Sequence, residues 1–414
     1  MTAIKTDQAK SSPKSQRAII FTGLMIFAMG QTILFALLGP AARDIGFAEW
    51  QVGAIISTSA VVFVLISPVW GTLADRWGRK NVIVSGLASY ALATLLFAWL
   101  LSLGLAGVLA GGTAFASLIG ARLLYSLGSG GIQPAAVAMM ADLTSKADRS
   151  AGVAAVGAAF GLGTVLGPGV ASLLVDFGLL VPLLTAAAGA FVIALLAAVF
   201  VKDPPRRDQA EDANEDAKPD LLALAPFLAL GTGTFVAISA IQQTMSFFIQ
   251  DFTGTDAIAA TKLAGNAFVV LAVATLVVQA GVVQKLKPAP SIMLGYGLPI
   301  ATLGIVTMAL APSYAIILVG FGIMGAGFGL VQPGISAIVS LATGAEAQGN
   351  AAGYVQAAMA GGFVIGPIAG TSLYALSPKA PLMLAIACCV GCYALFGWAV
   401  RGRKRVEPSE TPTP

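Results

Sequence analysis

Residues 71–80 read Gly71-Thr72-Leu73-Ala74-Asp75-Arg76-Trp77-Gly78-Arg79-Lys80, a charged ten-residue turn between two apolar runs, 51–72 and 81–103. A bilayer-spanning helix needs about 20 predominantly apolar residues, and both runs meet that length. The turn is therefore a short polar loop joining two membrane spans, and the pattern repeats outward along the chain. Apolar runs bounded by charge or by Pro/Gly clusters fall at 18–40, 51–72, 81–103, 113–140, 150–175, 178–201, 221–249, 262–283, 291–312, 314–340, 350–376 and 380–400. An even count of twelve puts both termini on one side of the membrane.

Composition agrees. Of 414 residues, 57% are hydrophobic and 10% charged, 23 basic and 19 acidic, against about 25% charged in ordinary soluble proteins. That deficit excludes a soluble globular enzyme, a disordered chain and a nucleic-acid binder with a dense basic face. The chain has no histidine, which removes His-ligated metals, a Ser-His-Asp triad and a histidine proton relay. Cys388, Cys389 and Cys392 lie together in the last span and read as small apolar helix residues, not as a disulfide framework. With no nucleophile–base set and no metal cluster, neither enzymatic chemistry nor a metal or other cofactor is expected.

The distribution of basic residues sets the orientation. With the N-terminus in the cytoplasm, 19 of the 23 Lys and Arg lie inside, among them Lys5, Lys10, Arg76, Arg79, Lys80, Lys202 and Arg401, while Arg43, Lys262 and Lys379 lie outside. Arg122 is left within a span. The organisation read from this is a cytoplasmic tail 1–17, a six-helix bundle 18–201, a linker 202–220, a second six-helix bundle 221–400 and a cytoplasmic tail 401–414. The linker, rich in Pro, Asp, Glu and Ala, cannot bury a core. The halves are related: Gln133-Pro134 answers Gln332-Pro333, and Gly163, Gly167 and Pro168 answer Gly362, Gly366 and Pro367, each pair 199 residues apart. Such duplication marks transporters whose substrate site lies between the repeats. A channel should show polar stripes without the turn at 71–80, and a receptor should bind ligand and move none.

The turn GTLADRWGRK resembles the loop-2/3 signature of the major facilitator superfamily, G-x-L-a-D-r-x-G-r-k, at nearly every defined position. The resemblance implies an all-α fold of two pseudo-symmetric six-helix bundles working by alternating access. In it Gly71, Asp75, Arg76, Gly78, Arg79 and Lys80 form a conformational latch between the halves. Gly71 permits close helix approach, and Asp75 at a helix end meets the positive terminus of a facing helix. The equivalent loop, Gln284-Lys285-Leu286-Lys287, lacks the acid and the glycines, so the latch is one-sided. Gly163-Thr164-Val165-Leu166-Gly167-Pro168-Gly169 is similar to the G-x-x-x-G-P motif of the superfamily's drug:proton antiporters, where it accompanies export. Its glycines make a smooth packing face and Pro168 bends the span. Gly163, Gly167, Pro168, Gly366 and Pro367 are accordingly the hinge and packing residues, a seal against the other half.

Arg122 is the coupling candidate. An intramembrane arginine costs from about 3 to above 10 kcal/mol and marks a functional site by default. It resembles the superfamily's second antiporter motif, linked to proton transfer, and snorkelling to a head group is the structural alternative. Arg122, Ser126, Ser129 and Gln133 share one helical face; their mates at +199 are Phe321, Gly325, Phe328 and Gln332. Gln31, Phe235, Ser239, Gln242, Gln243, Asn266, Tyr354 and Gln356 complete the candidate cavity lining, with Thr32 and Ser246 beside them. No acid falls in mid-span: Asp44, Asp142, Asp176 and Asp251 are the nearest. The proton thus has no evident interior carboxylate carrier, and Arg122 favours a neutral, zwitterionic or anionic amphiphile.

The expectation is efflux of small amphipathic organic compounds with proton antiport, similar to the tetracycline and multidrug exporters. The alternative is proton-independent or symport-type transport of an organic anion held by Arg122. Expected partners are the small-molecule substrate, the lipid bilayer and the proton, with no nucleic acid and a monomer as the working unit. The expected location is a bacterial inner membrane.

Overall fold

The computed structural model describes residues 12–144, 149–203, 221–343 and 348–406. Tail residues 1–11 and 407–414 and linker residues 204–220 lie outside that description. The elements are α1 Pro13–Asp44, α2 Glu49–Trp77, α3 Arg79–Leu105, α4 Gly111–Ser129, α5 Ile132–Asp142, α6 Arg149–Leu174 and α7 Val181–Phe200. They continue with α8 Leu221–Thr253, α9 Ala257–Val278, α10 Gln284–Leu286, α11 Pro290–Ala309, α12 Tyr314–Thr343, α13 Gln348–Tyr374 and α14 Ala380–Val406. Among the described residues, 11 helices are long and apolar enough to cross a membrane, counting α9 and α10 as one. The twelfth span is the pair α4–α5.

The expected continuous helix over 113–140 is thus corrected to two segments broken at Gly130-Gly131. Pro134 has no N–H to give the Gly130 carbonyl, and the Trp70 indole N–H donates to the Leu127 carbonyl at 2.7 Å. A Cβ on Gly131 would press on Val82 and Trp70, so α2 and α3 approach the break closely. The eighth span starts at Ala257, not at 262. Asp256 caps it by accepting from the Ala259 N–H at 2.8 Å, and Lys262 lies inside the helix instead of marking its edge. Its far end passes through a π-turn, Gln279–Val283, into α10. The first span runs past 40 to Asp44 because a helix satisfies its own backbone beyond the apolar stretch that hydropathy detects.

In the first bundle α1 packs on α6 and α7, and α3 on α4 and α7; in the second α8 packs on α13 and α14, and α11 on α12 and α14. Across the bundles α1 meets α8 and α9, α6 meets α9, and α2 meets α13. These contacts gather at one end. There a single apolar core joins Leu37, Leu38 and Ala41 of α1 to Met245, Phe247 and Ile249 of α8. A second core, with Ile20, Leu24, Val82 and Met139, stays within the first bundle toward the end that carries the 71–80 turn. The two are called here the joined end and the loop end.

Candidate functional site

The joined end is closed by charge. Arg43, near the end of α1, forms ion pairs with Asp251 of α8 and, at 2.8 Å, with Glu49 of α2. Asp251 also accepts from the Tyr374 hydroxyl of α13 at 2.6 Å. The guanidinium lies 4.8 Å from the centre of the Phe247 ring and 5.8 Å from that of Tyr374. Four helices from both bundles thus converge on one arginine. A second pair, Lys262 to Asp176 at 2.5 Å, bridges α9 to the turn after α6.

The Gly-Pro motifs sit beside these pairs. Cβ atoms on Gly163 and Gly167 would collide with the Met25 and Met29 carbonyls of α1, and those on Gly362 and Gly366 with Phe235, Val236 and Ser239 of α8. The glycine faces therefore seal each span against a helix of its own bundle, which corrects the expectation that they face the other half. The prolines do face the other half. A Cβ on Gly265 of α9 would meet the Pro168 carbonyl, and one on Gly53 of α2 would meet the Pro367 carbonyl. Ser172 donates to Asn266 at 2.7 Å, and Ser57 accepts from the Ile368 N–H at 3.2 Å. The interface is pseudo-symmetric, a proline carbonyl over a glycine on each side.

At the loop end the 71–80 turn is tied to its own bundle. Arg79 donates to the Ala138 carbonyl at 2.8 Å and pairs with Asp142, and the Lys80 N–H donates to Asp203 at 2.8 Å. Gly78 has φ 94°, and a Cβ there would strike the Asp203 carboxylate. Arg76 is exposed. Two expectations are corrected. A Cβ on Gly71 would meet open space, so no helix approaches there, and Asp75 is exposed, four residues before the start of α3, in no ion pair among the described residues.

Arg122 stands in the first bundle with its guanidinium carbon 4.2 Å from the centre of the Tyr125 ring. The two serines of its expected stripe are taken up by neighbouring groups. Ser126 is fully buried, 2.9 Å from the Ser59 hydroxyl of α2, and Ser129 donates to the Tyr125 carbonyl at 2.6 Å. Ser239 likewise donates to the Gly362 carbonyl at 3.0 Å, Asn266 serves the interface, and Phe328 is buried. These are packing groups because a hydroxyl in a dry helix bundle takes the nearest carbonyl. Gln31, Gln133 and Tyr354 are half-buried, and Gln332 and Gln356 exposed. Gln243 is fully buried, and among the described residues neither end of its amide has a hydrogen-bond partner, nor do Gln242 Oε1 and Ser246 Oγ. Phe235 tilts against Phe363 at 5.5 Å, and Phe363 stacks with Phe35 at 6.5 Å, an aromatic contact from one bundle to the other.

Arg43, Glu49, Tyr374, Phe35, Phe363, Gly53 and Gly265 were not anticipated. Their one sequence signal is the clustering of charge at the span ends, Arg43 with Glu49 and Asp251 with Lys262.

A sequence model of the Major Facilitator Superfamily matches residues 20–309 and 296–414. The chain belongs to that superfamily. This facilitator is a multi-pass membrane transporter, not an enzyme. It is 24% identical over 389 residues to Multidrug resistance protein 1 of Bacillus subtilis (strain 168), covering 92% of this chain and 95% of that protein. It is 21% identical to the quinolone resistance protein NorA of Staphylococcus aureus (strain MRSA252), covering 89% and 92%. Its fold matches that of a bacterial homologue of the human lysosomal transporter Spinster in an inward-facing, occupied conformation. That match has TM-score 0.77 and 14% identity, covering 96% of this chain and 99% of that one.

Proposed function

We propose that this facilitator exports small amphipathic organic compounds from a bacterial cell by alternating access, with a proton moving inward. The observation that carries the mechanism is the gathering of inter-bundle contacts at the joined end. Two bundles sealed at one end around Arg43, with the 71–80 turn at the other tied only within the first bundle, suit one half of a rocking cycle. With the loop end in the cytoplasm, as the basic residues argue, this conformation faces inward and the termini are cytoplasmic. The 71–80 turn then acts as the latch of the opposite, outward-facing state, and residues 202–220 link the halves across the cytoplasmic side. Likeness to resistance proteins over nearly their whole length supports efflux of drug-like compounds.

A second reading is favoured by a specific observation. No carboxylate pairs with Arg122 among the described residues, and no acid falls in mid-span. A transporter so built carries an organic anion without a proton. Flux in proteoliposomes decides, with neutral, cationic and anionic amphiphiles, with and without an imposed pH gradient. Flux of cations or neutral compounds accelerated by the gradient supports antiport. Flux confined to anions and indifferent to pH replaces it with the second reading.

A further inference from the structure

The loop end is not electrically uniform. In the first bundle its bases stand among acids: Arg79 pairs with Asp142, and the Lys80 N–H donates to Asp203. The second bundle lacks such acids. Among its described residues the carboxylates are Asp251 and Asp256, both where α8 passes into α9 at the joined end. Its loop end carries Lys285, Lys287 and Arg401, all exposed and in no ion pair among the described residues. The sequence adds Arg403, Lys404 and Arg405 before α14 ends.

Apolar groups accompany these charges. Lys285 and Lys287 flank Leu286, which is 72% exposed, on the single turn α10 that follows the π-turn. Helix α11 begins three residues later and packs on α14, where a Cβ on Gly295 would meet the Phe396 ring at 4.0 Å. That contact sets the two helices level. Beside it Tyr296 and Trp398 are 66% and 68% exposed, and Arg401 follows about 4.5 Å beyond Trp398 along α14. Amphipathic rings with bases just beyond them match the boundary between acyl chains and head groups. The orientation rule accounts for bases at this end. It does not account for acids missing from one bundle, or for the exposed rings beneath its charges.

We propose that the loop-end rim of α10, α11 and α14 binds the head group of an anionic phospholipid. Lys285, Lys287 and Arg401 draw the phosphate, and Leu286, Tyr296 and Trp398 lie along the acyl chains. A zwitterionic lipid offers the same phosphate with a cation of its own beside it, so the rim selects net negative charge. This surface lies apart from the contacts between the bundles and from the 71–80 turn. It is therefore independent of what is carried, in which direction, and with what ion.

The test is native mass spectrometry of the full-length protein released from micelles doped equally with phosphatidylglycerol and phosphatidylcholine. Phosphatidylglycerol adducts are expected in excess, and the excess should shrink as ammonium acetate is raised. The triple variant Lys285→Gln/Lys287→Gln/Arg401→Gln should cut that excess by about fivefold or more, since one base near an anionic surface is worth about that factor. The variant Lys14→Gln/Arg17→Gln/Lys202→Gln removes as many charges from the first bundle and should keep it. Equal adducts of the two lipids overturn the proposal, as does an equal loss in both variants or no loss in the first. Inorganic phosphate at the lipid's concentration should not displace the adduct; displacement would make the rim a site for a soluble anion and overturn the lipid assignment.

Discussion

The two ends of the molecule use the same chemistry for different ends. At the joined end an arginine, two carboxylates and a tyrosine from four helices meet between the bundles. At the loop end an arginine and carboxylates, Arg79 with Asp142 and the backbone of Lys80 with Asp203, meet inside one bundle. Charge alone does not separate closure from anchoring. The difference lies in what flanks the charge: Gly265 under the Pro168 carbonyl and Gly53 under the Pro367 carbonyl let two backbones touch at the joined end, whereas Gly71 meets open space at the other. Glycine contacts set the distance between helices, and exposed ion pairs trim the balance by about 1 kcal/mol or less each.

The sharpest way to break this comparison is Gly265→Val. Its side chain would enter backbone at Pro168, which cannot yield, at a cost of about 1–3 kcal/mol to the joined state. Flux in proteoliposomes should fall by about tenfold or more. Flux within twofold of wild type would show that the backbone contact does not set the closure. Asp251→Asn comes next. It leaves half-buried Arg43 with Glu49 as its remaining ion-pair partner among the described residues and should shift the balance away from the joined state by about 1 kcal/mol. Spin labels placed across the joined end would read the shift as a growing long-distance population; an unchanged distribution would reduce the network to surface decoration.

Asp75→Asn tests the other end. Asp75 is exposed and in no ion pair among the described residues, so thermal stability should change by less than about 0.5 kcal/mol, while transport should fall, as the proposed latch of the opposite state requires. Loss of stability with normal transport would reverse its assignment. The smallest effect belongs to Ser126→Ala, which lies at neither end. Losing its bonds to Ser59 should cost about 0.6–1 kcal/mol of stability and leave flux unchanged. A lowered flux would return Ser126 to the cavity lining.

Much of this architecture is legible in the sequence because a membrane imposes a local rule. Every span must be long and apolar, so the runs at 51–72 and 81–103 announce themselves, and the 199-residue offset between Pro168 and Pro367 announces the duplication. The break in the fourth span is written in Gly130, Gly131 and Pro134, yet it depends on the Trp70 indole reaching the Leu127 carbonyl from another helix. Ser126, Ser129 and Ser239 share polar helical faces as expected, but a hydroxyl on such a face points equally well at a cavity or at a neighbour's carbonyl. Periodicity names the face and not its occupant.

By itself the sequence determined the spans, the repeat and membership of a superfamily, since each follows from composition and short-range pattern. Tertiary structure alone decided that Arg43 meets Asp251, 208 residues away, that the prolines rather than the motif glycines face the other bundle, and that the Arg122 guanidinium lies over the Tyr125 ring. Those facts belong to the crossing of helices far apart in the chain. Burial follows from a residue's own transfer free energy, but a partner follows from packing.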